Sequence, residues 1–143
     1  MTPTASDLLA GCIKTLAVPL APEDAGPFTT ARIRTVALLN RLVALESAQG
    51  AAVRVAENAA IRALITASGP RYAALAEAAT AASDGDYTIE ALDAANAKLR
   101  RLLIDLHETA ETAGEGDLDQ KILGLYCEIA TRRELPLPSV KPA

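Results

Sequence analysis

The chain holds a single histidine, His107, in the stretch Leu106-His107-Glu108-Thr109-Ala110-Glu111. His107 and Glu111 stand four residues apart, so on a helix they share a face and could hold a metal. A zinc site needs three or four ligands, and neither an HExxH nor an ExxH spacing supplies them. No metal and no cofactor are therefore expected, and His107 reads as a flank residue. Histidine phosphotransfer domains place Lys and Gly just after the active histidine. Thr109, Ala110 and Glu111 follow here, which excludes that chemistry.

Asp84-Gly85-Asp86-Tyr87-Thr88-Ile89-Glu90 opens like a calcium loop. The EF-hand needs glycine at its sixth position and glutamate at its twelfth, where this chain has Ile89 and Ala95. The segment reads as a turn followed by a helix cap. Gly114-Glu115-Gly116 is flanked by acidic side chains and lacks the GxxxxGK[ST] pattern, so it does not cradle phosphate. No GxSxG elbow occurs, and the serines fall at caps, turns, a helix end and the tail. These patterns name no catalytic residue.

A second set of candidates comes from polar residues on apolar faces. Asn40 falls between Ile33, Val36 and Val43. Glu57 lies in the stripe Val53, Ala60, Ile61, Leu64. Asn96 and Arg100 border the main stripe of a later helix, and His107 and Glu111 continue that flank. A buried charge must be paired or neutralised. Asn40, Glu57, Asn96, Arg100 and His107 are thus the candidate ligand-binding residues of a polar interhelical pocket. The competing reading is an internal hydrogen-bonded network, or surface flanks.

These residues need helices to position them. About a fifth of the chain is alanine, the strongest helix former, and most other apolar residues are Leu, Ile and Val. There is no Trp, one Phe and three Tyr, and aromatics are what strands favour. The expected fold is all-α: a single-domain bundle of five to six mostly antiparallel helices over residues 1–135, with residues 136–143 as a flexible tail. The first helix is expected over Ala5–Val18, capped by Thr4. Pro19 to Pro27 forms an ordered crossing loop in which Leu20 and Phe28 pack. Thr30–Gln49 is apolar nearly all round and is expected to be the buried central helix, with Gly50 as a stop or kink. Further helices are expected over 51–67, 71–82, 89–113 (capped by Thr88) and 118–134 (capped by Asp117).

Net charge is −4 with a pI near 5.0, which disfavours nucleic acid. Lys14 interrupts the first apolar stretch, no run reaches the roughly 20 residues of a membrane span, and a cytoplasmic protein is expected. Cys12 and Cys127 have neither zinc nor disulfide-framework spacing, and Cys12, among Leu8, Leu9, Ile13 and Leu16, is expected to be a buried thiol.

The pattern Leu8-Leu9, Pro19 to Phe28, Arg32-Ile33, Asn40, Ala56-Glu57-Asn58-Ala59, Ala63-Leu64-Ile65 and Ala95-Asn96 with Leu99 resembles a family of small all-helical bacterial proteins. That family has no established activity, and its genes lie near aminoglycoside-phosphotransferase-like and acyl-CoA-dehydrogenase-like genes. The family's Arg-Glu-Leu after the Asn helix is replaced here by Leu45-Glu46. The resemblance implies an accessory role near acyl-CoA metabolism. Two functions are consistent with the whole reading. The first is a non-catalytic helical interaction module with a protein partner or a second copy of itself. The alternative is a binder or enzyme for an acyl-CoA-like small molecule.

Overall fold

The computed structural model describes residues 5–134. The expected Thr4 cap and the 136–143 tail lie outside them. The described chain is all-α: α1 (Ala5–Leu16), α2 (Pro27–Ala67), a 3-10 turn (Pro70–Tyr72), α3 (Ala73–Ala81), α4 (Ile89–Ala113) and α5 (Gly116–Arg132), with no strand among the described residues. None of these helices is long and apolar enough to cross a membrane. The chain forms two compact units, one ending at Gly50 and one beginning at Ala51.

In the first unit, the half-buried stripe of α1 is Leu9, Ile13 and Leu16. Cys12 lies beside that stripe and is exposed, contrary to its expected burial. Phe28 does not pack either: it is 74% exposed in the first turn of α2, with the Arg32 guanidinium 5.7 Å from its ring centroid. The expected buried helix over 30–49 is not found there. Val36, Leu39 and Val43 are exposed, and no residue in that range is fully buried. An apolar circumference needs neighbours on every side, and composition does not reveal how many a helix has. Nor does Gly50 end the helix, since α2 continues to Ala67. Glycine costs about 1 kcal/mol inside a helix relative to alanine. The Ala51-Ala52 pair that follows restores helix propensity, and no proline completes a stop.

The second unit is organised by α4, which is its buried central helix. Leu92, Ala95, Asn96, Leu99, Leu103, Leu106 and Ala110 are buried along one face, at the three- and four-residue spacing of a helical stripe. α4 packs against α3 and α5. Ile61 and Ile65 of α2, Tyr72, Ala79 of α3, and Ile122, Leu125 and Ile129 of α5 join the same core. Thr88 caps α4 by accepting a hydrogen bond from the Ala91 amide, and Gly114 ends it at φ 70°. That left-handed conformation is the one glycine adopts without strain at a helix C-terminus. α5 starts earlier than expected. Glu115 takes the cap position and Asp117 falls in the first turn, where its charge still favours the helix dipole.

Candidate functional site

Glu57 is the centre of the second unit's polar network. It sits on α2 one turn before Ile61, facing α4, and is fully buried. One carboxylate oxygen, Oε1, accepts from Asn96 Nδ2 at 2.8 Å, Arg100 Nε at 2.9 Å and Arg100 Nη2 at 2.7 Å. The other, Oε2, accepts from Arg133 Nε at 2.7 Å. Asn96 and Arg100 stand four residues apart on α4, so one helix face presents both. Arg133 is the C-cap residue of α5. Burial alone pushes the Glu57 carboxyl up. The hydrogen bonds from Asn96, Arg100 and Arg133, with the charge of Arg100, outweigh that and hold it below the ordinary glutamate range.

The network continues away from Glu57. Asn96 Nδ2 also donates to Asn58 Oδ1 at 2.8 Å. Asn58 Nδ2 donates to Asp84 Oδ1 at 2.8 Å and to the Leu92 carbonyl at 3.3 Å. Asp84 accepts both Arg62 Nη1 and Nη2, at 2.9 and 2.6 Å. Those bonds hold the Asp84 carboxyl low against the opposing effect of burial, with Asn58 adding to them. Arg62 also donates to the Ala82 carbonyl, so this end pins the turn after α3 to α2.

Three of the candidate residues, Glu57, Asn96 and Arg100, are therefore brought together. Asn40 belongs to the other unit and is not among the groups that meet here. His107 lies two turns along α4, in a separate cluster with Asp119. Sequence reasoning missed Asn58 and Arg133. Asn58 adjoins Glu57 and could have been flagged by the same polar-in-apolar signal. Arg133 stands just past its helix, 76 positions from Glu57, with no periodicity to mark it.

Both arginines also line a groove of about 310 Å³, whose other walls are Leu103 and Ile104 of α4 and Tyr126, Ile129 and Ala130 of α5. Their side chains are 44% and 39% exposed. Each points Nε at Glu57, and neither Nη1 has a hydrogen-bond partner among the described residues. Two guanidinium groups against one carboxylate leave a surplus positive charge at the groove's end. Burial pushes the Tyr126 hydroxyl up, with the charge of Arg100 opposing it. Two larger clefts differ in kind. One, of about 570 Å³, carries Glu115, Asp117 and Lys121. The other, of about 610 Å³, has alanines along α3 and α4 with Lys98, Arg101 and Asp105. Neither joins an apolar wall to a buried polar anchor.

No protein family matches the chain, and no curated protein or solved structure matches it.

Proposed function

We propose that the second unit is a small-molecule-binding module whose ligand is an amphipathic carboxylate. The single observation behind this reading is the surplus of guanidinium charge at one end of an apolar groove. The ligand's carboxylate meets the free edges of Arg100 and Arg133, which suit planar, bidentate recognition. Its hydrocarbon part lies along Leu103, Ile104, Tyr126 and Ile129. Glu57 orients both arginines before the ligand arrives, so little side-chain entropy is lost on binding. The volume is at the low end of the roughly 300–1,000 Å³ of small-molecule sites. It suits an acyl chain or small aromatic acid better than a whole acyl-CoA.

The test is calorimetric titration with octanoate and with octanol. Octanoate is expected to bind with Kd on the order of 0.1 mM, about −0.5 kcal/mol per non-hydrogen atom. Octanol, lacking the charge, should bind at least tenfold more weakly. Ile104 is 49% exposed, so Ile104→Glu leaves the core alone while placing a repelling charge in the groove. It should abolish octanoate binding. Equal affinity for acid and alcohol, or indifference to Ile104→Glu, would remove the proposal.

A second reading concerns the first unit. Val36, Leu39 and Val43 are 45%, 55% and 55% exposed on α2. Their three- and four-residue spacing is that of a helix–helix seam, which an identical stripe on a second copy of the chain would cover. Sedimentation equilibrium should then give a dimer that Leu39→Glu with Val43→Glu converts to monomer. A monomeric parent protein at all concentrations would end this reading.

A further inference from the structure

We infer that His107, Glu111 and Asp119 form a binding site for a first-row divalent metal ion, with zinc the best fit. The spacing on α4 offers only two ligands, His107 and Glu111. The fold supplies the third, because the tight Gly114–Gly116 connection folds the first turn of α5 back beside the end of α4. His107 Nε2 lies 2.8 Å from Asp119 Oδ1 and 3.9 Å from Glu111 Oε1, and the three ligand atoms all fall within 4.8 Å of one another. Around a tetrahedral zinc with bonds of about 2.0–2.2 Å, ligand atoms stand roughly 3.3 Å apart. The His107–Asp119 pair must open and the His107–Glu111 pair close by about half an ångström, while Glu111 and Asp119, within 4.8 Å of each other, must close by up to about 1.5 Å, which rotation of the exposed Glu111 side chain supplies.

Charge points the same way. Two carboxylates face one imidazole, and no lysine or arginine among the described residues forms an ion pair with Glu111 or Asp119. The cluster therefore carries excess negative charge even with His107 protonated. His107 is also held in place. Its side chain is 21% exposed, and its ring meets Tyr126 edge-on, with centroids 5.6 Å apart at 61°. Its Nε2, rather than a carbon edge, faces the carboxylates. One imidazole with two carboxylates suits zinc or manganese, and a fourth position would remain open to water. His107 does not line the arginine groove, so this site stands or falls independently of the proposed ligand.

The experiment is zinc titration of the full chain with Cys12 and Cys127 replaced by serine. Both thiols are exposed and would otherwise compete for the metal. One zinc per chain is expected, weakened at least tenfold by His107→Ala and by Asp119→Asn. Glu111 is 63% exposed at its side chain, so Glu111→Ala leaves the packing intact and should also weaken binding. Cobalt in place of zinc should give the visible absorption bands of a four-coordinate site, lost in His107→Ala. No uptake, or uptake unchanged in both Glu111→Ala and His107→Ala, would overturn the inference.

Discussion

Replacing both Arg100 and Arg133 by alanine is expected to cost about 3–5 kcal/mol of folding stability at pH 7, the range for a buried charge stripped of its partners. The loss falls on Glu57. Its carboxylate is fully buried and accepts from both arginines, and without them it keeps only Asn96. Either single variant should cost much less, because the remaining guanidinium still pairs one oxygen. The arginines themselves are part exposed and rehydrate when their partner is lost, so the cost is not symmetric. A pH signature accompanies the double variant. With only burial and Asn96 acting, the Glu57 carboxyl should rise above its unfolded value of about 4.3. A group raised in the folded state contributes stability below its unfolded pKa and loses it as pH rises through the folded pKa. The double variant should therefore become relatively more stable on acidification. Urea unfolding at several pH values measures this. Additive, pH-independent losses would contradict the network described above.

Glu57→Gln is expected to cost about 2–3 kcal/mol at pH 7, the scale of hydrogen bonds made to a charged group. The amide keeps one acceptor oxygen, but its nitrogen then meets Arg100 or Arg133 as donor against donor. The pH dependence has the opposite sign to that of the double arginine variant. In the parent chain the Glu57 carboxyl is held low, and so is Asp84. A lowered carboxyl contributes stability above its unfolded pKa, near 4, and loses it as pH falls through the folded value. The parent protein should lose stability on acidification below about pH 4. The deficit of Glu57→Gln should shrink over the same range, because the parent's own carboxyl is then protonated. Thermal melts from pH 7 downward read this directly. A constant deficit would mean that Glu57 is not ionised in the folded protein.

Both effects originate in a residue that the sequence marks. Glu57, Asn96 and Arg100 are legible because each interrupts or borders an apolar stripe, and a polar residue there must find a partner. α4 is legible throughout: its cap Thr88, its stripe from Leu92 to Leu106, and its end at Gly114 are local signals that agree with one another. The α2 region is less legible. Residues 30–49 have the composition of a buried helix, yet burial depends on neighbours supplied from elsewhere. Asn40 carries the same polar-in-apolar signal as Glu57 and stands on the same helix, but the signal does not mark where along α2 one unit gives way to the next. Arg133 and Asp119 were invisible for a different reason. Each acts across the fold on a residue of another helix, and neither stands in a pattern with its partner.

The most direct test of the groove is a nuclear magnetic resonance titration of the full chain with octanoate, observing the arginine Nε–Hε signals and the Tyr126 ring. Saturating shifts of the Arg100 and Arg133 signals together with Tyr126, absent in Ile104→Glu, are the expected result. Unmoved arginine signals, or shifts confined to the alanine-lined cleft between α3 and α4, would contradict the assignment of the ligand to this groove.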